Sequence, residues 1–509
     1  MANQSPHDTK MVRDVSEQNI VVAPQLPQKI TPVTSKKLSP QQVDNLWLRV
    51  AMQMHMDQPN NKKITAQRKW YLKHPSYFNR VSKRAEPFLY MIVEQLEQRG
   101  IPLELALLPI VESAFDPFAY SHGRASGMWQ IIPGTGKRFG LAQNWWYDGR
   151  RDVPASTKAA LDYLEYLNRF FKGNWLHAIA AYNSGEGRVN RAIKKNRKAG
   201  KPTDFWSLDL PKETKDYVPR LLALAQILKD PAQYNLQWPT IDNHAVVSLV
   251  DTKSQIDLGF AAKILDMELN DLHKLNPGIN RWATAPNGPH VLLIPKDKAH
   301  HFKQQLNKTA KSQRVNWVRY KIKAGDSLGL IAQNHQTTLA AIKDVNQIKS
   351  SNIRAGKYLL IPISANKLTD YKLTSNARLA TKQAKNRSGN KLSHVVKAGD
   401  NFWDLGRKYK VNHRSIAKWN GMAPRDPLRL GQKLVIWTKQ ASKRNNSSSS
   451  AIMRNITYKV RSGDSIGLIA QKFSLKIADV IRWNSLQNKK YLQPGQKLKL
   501  KIDVTRTNS

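Results

Sequence analysis

The 509-residue chain is predicted to be multidomain: a mainly α domain in its first half, then small α+β units of β-α-α-β order joined by flexible linkers. Three observations predict this. The length is several times the roughly 150 residues of an average domain. Apolar residues recur at helical spacing from Leu46 as far as Leu228, and after Trp238 they give way to short alternating stretches. One frame also repeats: Gly325-Asp326, Gly399-Asp400 and Gly463-Asp464 are each followed, 20 residues after the Asp, by Asn346, Asn420 and Asn484.

Residues 1–40, with Pro24, Pro27, Pro32 and Pro40, read as a flexible N-terminal arm. The helical domain is placed at 41–237 and opens with Leu46–Met56 and Trp70–Phe78. A helix is expected from Pro87, as a first-turn proline, to Gln98 before Gly100. Pro102 opens the helix that carries Glu112, and the internal Pro109 is expected to bend it just ahead of that acid. Further helices are expected over Pro154–Phe171, Trp175–Tyr182 and Pro211–Leu228. Between them, Tyr120–Gly140 is rich in Gly and Ser and starts without a helical period, as expected of a loop lining a groove.

Each repeat opens on an alternating strand (Tyr320–Ile322, His394–Val396, Tyr458–Val460) and closes on Gly-x-x-Leu-x-Ile or a variant (Gly356–Ile361, Gly431–Ile436, Gly495–Leu500). Two short helical patterns lie between, so the units are placed at 317–364, 393–438 and 456–502. A degenerate fourth copy occupies 238–300: Asn276 takes the Asn place and Val291–Ile294 the final strand, but Gln255-Ile256 replaces Gly-Asp. It reads as an adaptor packed on the helical domain. The polar stretches 365–392 and 439–455 read as linkers, the first spanning roughly 30 Å if flexible.

There are 82 Lys and Arg against 37 Asp and Glu, and +33 of the net +45 lies in residues 301–509. Such a balance calls for an anionic partner or surface. Cysteine is absent, which excludes disulfides, thiolate metal sites and thiol nucleophiles. No apolar run precedes a cleavage site near Met1, and no stretch approaches the roughly 18 apolar residues of a membrane span. No signal peptide and no lipidation Cys are therefore expected in this chain.

The chemistry centres on Glu112. Flanked by Ile110, Val111, Ala114 and Phe115, it is expected to sit against desolvating surface, which raises a carboxyl pKa and lets it hold a proton at neutral pH. A general acid for glycosidic cleavage needs that property. Two other carboxylates compete for a role. Asp116 lies four residues on, where Asp-Pro favours a helix stop; Glu186 lies in Tyr182-Asn-Ser-Gly-Glu-Gly, where a turn is expected. His122 and His177 lack a second ligand at metal spacing, so no metal and no cofactor are expected. Trp129, Trp145, Trp146 and Tyr182 could face sugar rings or fill a core.

Glu112-Ser113, then Gly127-Met-Trp-Gln130, then Ala181-Tyr182-Asn183 resembles the three-part signature of lytic transglycosylases with the goose-type lysozyme-like fold. Together with Glu213-Thr-x-x-Tyr217-Val-Pro and the repeats, the chain is similar to the membrane-bound murein lytic transglycosylase D type over roughly residues 60–502. The repeats resemble LysM modules, which implies binding of N-acetylglucosamine polymers through the frame Gly325, Asp326, Asn346, Gly399, Asp400, Asn420, Gly463, Asp464 and Asn484. The resemblance also implies roles around the acid. Ser113 would hydrogen-bond near Glu112, Gln130 and Asn183 would position the substrate, Met128 and Tyr182 would line the groove, and Tyr217 would lie near Glu112.

The implied reaction cleaves peptidoglycan strands with one carboxyl as acid and then base, leaving 1,6-anhydromuramic acid ends. The resemblance implies a monomer in the bacterial envelope, in the periplasm or at the outer membrane, with the basic modules drawn to its surface. Two other readings are a silent peptidoglycan-binding scaffold and a hydrolytic muramidase. Nucleic-acid binding is not expected, because no compact basic recognition motif accompanies the charge. The repeats are expected to act as a multivalent tether apart from the active site.

Overall fold

The computed structural model describes residues 38–438, 453–473, 475–487 and 492–503. Nearly all of the expected N-terminal arm and most of the 439–455 linker therefore lie outside the described residues. The first domain is helical: α1 Leu46–Met52, α2 Lys62–Leu72, α3 Ser76–Gln98, α4 Leu108–Ser113, α5 Pro133–Arg138, α6 Val153–Phe170, α7 Trp175–Ser184, α8 Glu186–Lys198 and α9 Lys212–Lys229. Side-chain oxygens of Asn45, Asn61, Asp152 and Asn174 accept the otherwise unpaired amides that open α1, α2, α6 and α7.

The helix expected from Pro87 begins eleven residues earlier. Phe78, Val81, Ala85, Phe88, Leu89, Ile92 and Leu96 form one buried stripe that runs through Pro87, so packing carries the helix across the missing amide. The expected end of the domain at 237 falls short as well. Trp238 and Ile241 pack in the helical core, where the Trp238 ring lies 5.4 Å from Trp47 and 4.6 Å from Phe78. Arg49, nearly buried, pairs with Glu97 at 2.6 Å and donates to Asn243, which ties the first helix to the exit of the domain.

Four β-α-α-β units follow. The adaptor comprises β1 Val247–Asp251, α10 Leu258–Ile264, α11 Leu269–Leu275 and β2 Val291–Pro295, and it carries an appended α12 Ala299–Lys308. The first repeat has β3 Asn316–Lys321, α13 Leu328–Asn334, α14 Leu339–Val345 and β4 Tyr358–Ile363. After α15 Ser375–Ala384, the second repeat has β5 Asn390–Val395, α16 Phe402–Lys408, α17 His413–Trp419 and β6 Lys433–Thr438. The third has β7 Met453–Lys459, α18 Ile466–Lys472, α19 Ile477–Trp483 and β8 Lys497–Asp503. Each unit pairs its two strands antiparallel.

The recurring Asn is the clip that closes each unit. In the first repeat the Asn346 amide donates to Ile342 O and Leu360 O, both at 2.7 Å, and its oxygen accepts Leu360 N. Asn420 and Asn484 make the same three bonds to α17 and β6, and to α19 and β8. Asn276 makes them in the adaptor, to Leu272 and Leu293, so the degenerate copy keeps the joint of the others.

The recurring Asp closes the opening turn. Asp326 accepts from Lys323 N and Tyr320 OH, Asp464 from Arg461 N and Tyr458 OH, and Asp400 from Lys397 N and His394 Nε2, all within 2.8 Å. Gly325, Gly399 and Gly463 supply the φ near +85° of that turn. The frame read from sequence as glycan-binding therefore also builds the modules, through the amide of each Asn and one carboxylate oxygen, Oδ2, of each Asp.

The stretch 365–392 is not a free linker. Tyr371 is fully buried and its hydroxyl donates to Asp257 Oδ1 at 2.8 Å, while Ala365 N donates to Asp257 Oδ2 at 2.9 Å. Ser375 N bonds Asn280 O, Arg281 bonds Asn376, and Gln383 at the end of α15 reaches Asn420 in the second repeat. A polar strap with one aromatic anchor runs from the adaptor to the second module.

Candidate active site

Glu112 lies in the last turn of α4, a six-residue helix. Pro109 does not bend a longer helix as expected. A buried 3-10 turn, Leu103–Leu107, ends there, and Pro109 sits in the first turn of the new helix, where a missing amide costs nothing. Beyond Ser113 the chain reverses through Ala114 and Phe115, both left-handed at φ 52° and 56°. Two successive non-glycine residues in that region cost about 1–2 kcal/mol each. The burial of Phe115 and the bonds from Ala114 N to Ile110 O and from Phe115 N to Pro109 O hold them there. Ser113 Oγ donates to Met128 O at 2.9 Å and accepts Asp116 N at 3.1 Å, so Ser113 fastens the end of α4 to the next loop.

A cleft of about 730 Å³ opens over this helix end. Glu112, Gln130, Tyr182, Asn183 and Tyr217 all line it, drawn from α4, the Gly127–Gln130 turn, α7 and α9. Tyr217 OH donates to Glu112 Oε1. Gln130 Nε2 donates to Gly127 O at 2.7 Å, Tyr182 OH to Trp129 O at 2.8 Å, and Asn183 Oδ1 accepts from Thr214 Oγ1 at 2.8 Å. Met128 stands apart: only 1% exposed, it backs the wall with its carbonyl on Ser113 and does not line the groove as expected.

The competing carboxylates are engaged elsewhere. Asp116 accepts Phe118 N and lies 3.8 Å from Arg84. Glu186 opens α8, where a turn was expected, and meets Tyr163 OH at 3.2 Å and Arg138 at 3.4 Å.

Among the cleft residues to which sequence reasoning gave no role are two charged ones, Glu213 and Arg220. Their signal was the i, i+4, i+7 spacing of Glu213, Tyr217 and Arg220 along one face of α9.

Burial pushes the Glu112 carboxyl up to about 7; the Tyr217 hydrogen bond opposes that rise and the nearby Glu213 charge adds to it. The folded value lies above the ordinary 4.5. The resulting stabilisation, up to about 3 kcal/mol, is therefore complete below pH about 4.5 and is lost as pH rises through 7. Wild type should lose thermal stability relative to Glu112→Gln across that window, which a Tm series over pH would measure. Parallel curves would place the group in a solvated setting.

Gly127 explains the Gly of the Gly-x-x-Gln turn. It sits at φ +80°, and a Cβ there would meet Arg150 O at 1.9 Å. Backbone strain and overpacking together predict that Gly127→Ala destabilises the helical domain by about 3–5 kcal/mol. Chemical denaturation of the variant would show the loss.

A protonatable carboxyl at the end of a short helix, facing a polar cleft in a helical domain, is the arrangement that an enzyme cleaving glycans by general acid catalysis requires. The domain matches the family model "Transglycosylase SLT domain" over residues 90–205; residues 247–311 match "Lytic transglycosylase MltD, LysM-like domain", and residues 320–362, 394–437 and 458–501 match "LysM domain". The chain belongs to the membrane-bound lytic murein transglycosylase D family: it is 36% identical to the Escherichia coli (strain K12) protein of that name over 90% of this chain and 85% of that one. A putative tributyltin chloride resistance protein of Alteromonas sp. is 53% identical over 24% of this chain and 60% of its own length. The lytic transglycosylase Slt of Pseudomonas aeruginosa, solved as an inactive mutant, is 24% identical over 38% of this chain and 33% of that chain, with a TM-score of 0.25.

Proposed function

We propose that the enzyme cleaves the MurNAc–GlcNAc β-1,4 bond of peptidoglycan without water, with Glu112 acting first as acid and then as base. The observation that carries this reading is the Glu112 carboxyl, held by Tyr217 and raised to about 7 in the cleft. Its proton passes to the glycosidic oxygen as the bond to muramic acid C1 breaks, releasing the GlcNAc 4-hydroxyl. The carboxylate then takes the proton of the muramic acid C6 hydroxyl as that oxygen bonds to C1. A 1,6-anhydro ring closes and Glu112 regains its proton. Gln130 and Asn183 orient the sugar, and the aromatic rings of Tyr182 and Tyr217 form a cleft wall.

The exposed Glu213 in the same cleft favours a second reading, a hydrolase in which that carboxylate activates water. Mass analysis of soluble products separates the two. Anhydro ends, one water lighter than reducing ends, are the expected result, and reducing ends as the main product would assign the chemistry to a Glu112–Glu213 pair.

The LysM modules retain the enzyme on glycan strands, and the +33 of residues 301–509 adds attraction to an anionic wall. This reading places a monomer in the cell envelope, in the periplasm or at the outer membrane; no described helix is long and apolar enough to cross a membrane.

A further inference from the structure

One wall of the cleft is a small hairpin that the helical domain does not hold alone. Ser121 N bonds Ala125 O, Arg124 N bonds Ser121 O, and Ala125 N bonds Ser121 Oγ, closing a tight reversal with Arg124 left-handed at φ 68°. Its inner side, including Ser121, His122 and Gly123, faces the cleft, and both His122 and Gly123 are exposed. Apolar packing at this tip is slight, so polar contacts must fix it.

Those contacts come from two directions. From within the domain, Arg150 Nη1 donates to Arg124 O at 2.7 Å. From outside, Asp426 of the second repeat lies 2.7 Å from Arg124 Nε and accepts from Tyr120 OH at 3.0 Å. Asp426 sits in the loop between α17 and β6, its side chain only 12% exposed, and its Oδ2 also accepts Ala423 N at 2.7 Å. The strap makes the approach possible, because Gln383 joins α15 to Asn420 three residues before Ala423. Burial and the Asp426 charge push the Tyr120 phenol up to about 12, so it remains a hydrogen-bond donor.

We propose that Asp426 is a positioning residue for glycan cleavage: through Arg124 and Tyr120 it sets the Ser121–Ala125 wall, so the second module completes the catalytic cleft. The proposal rests on the transglycosylase reading above. Asp426 touches no reacting atom, and the wall meets the glycan in ground and transition states alike. Its loss should therefore appear in KM and not in kcat.

The test uses the full chain carrying Asp426→Asn, Arg124→Gln or both, with soluble peptidoglycan glycan strands as substrate. Each single change is expected to raise KM about three- to tenfold with kcat within about twofold, and the double variant to be no worse than either single, as for two partners of one contact. Asp426→Glu should recover most of the loss, and retention on sacculi should not change. A wild-type KM for folded Asp426→Asn, or additive losses in the double variant, would overturn the proposal. Should Asp426→Asn unfold its module, Arg124→Gln and Tyr120→Phe break the contact from the other side, and a normal KM in both is equally fatal. Failure of the transglycosylase reading would show separately, as reducing ends among the wild-type products.

Discussion

Glu112→Gln is expected to lower glycan cleavage by at least about 10²- to 10⁴-fold, the usual worth of general acid–base help, since under the proposed mechanism one group supplies both halves. The substitution keeps volume and still offers an oxygen to Tyr217 OH, the neighbour Glu112 has in the cleft. It also removes the only form that burial penalises, the carboxylate. The variant should therefore fold normally, be at least as stable as wild type at pH 7, and still bind sacculi through its intact modules. Turnover on soluble strands, beside a denaturation curve, checks both halves of the expectation. Near-normal turnover by the folded variant would move the acid to Glu213, which lines the cleft, and not to Glu186, which is spent on Tyr163 and Arg138.

The starts of α6 and α7 were legible because local chemistry decides them: Asp152 and Asn174 cap these helices, and the apolar spacing inside them agrees with the caps. The repeats were legible for a related reason. One Asn per unit makes three bonds that nothing else in the unit can make, so spacing alone reveals the joint even in the adaptor, whose opening turn differs. What escaped was decided by distant contacts. The strap has the composition of a linker, but hydrogen-bonding groups of Ala365, Tyr371, Ser375 and Asn376 are taken by Asp257, Asn280 and Arg281 of the adaptor, and only Tyr371 signals burial. Pro87 reads as a start and Pro109 as a bend, while packing on both sides of Pro87 and the 3-10 turn before Pro109 reverse those roles. In the repeats, the strictly recurring Asn and Asp from which glycan binding is expected also close each module, a second role that spacing alone does not reveal.

Two truncations would separate the tether from the docked module. Ending the chain near residue 440 removes the third repeat and leaves the strap, the second repeat and the contact of Asp426 with Arg124 in place. Cleavage of short soluble glycans should then match wild type, and retention on sacculi should weaken, because one intramolecular contact of the multivalent set is lost. Ending it near residue 310 removes all three repeats, and avidity on sacculi should fall by about 10² to 10⁴. Only part of full-length retention should be salt-sensitive, since screening shortens the reach of the +33 charge to about 8 Å at physiological strength and leaves sugar contacts intact. A pure tether would leave short-glycan cleavage unchanged by the longer cut as well. The structure predicts otherwise: that cut frees Arg124 and Tyr120 from Asp426 and strips Tyr371 and Ala365 from the buried Asp257, so KM on short glycans should rise. Equal KM values for the two truncated proteins would show that the repeats do nothing for the cleft, and the wall would then stand on Arg150 alone.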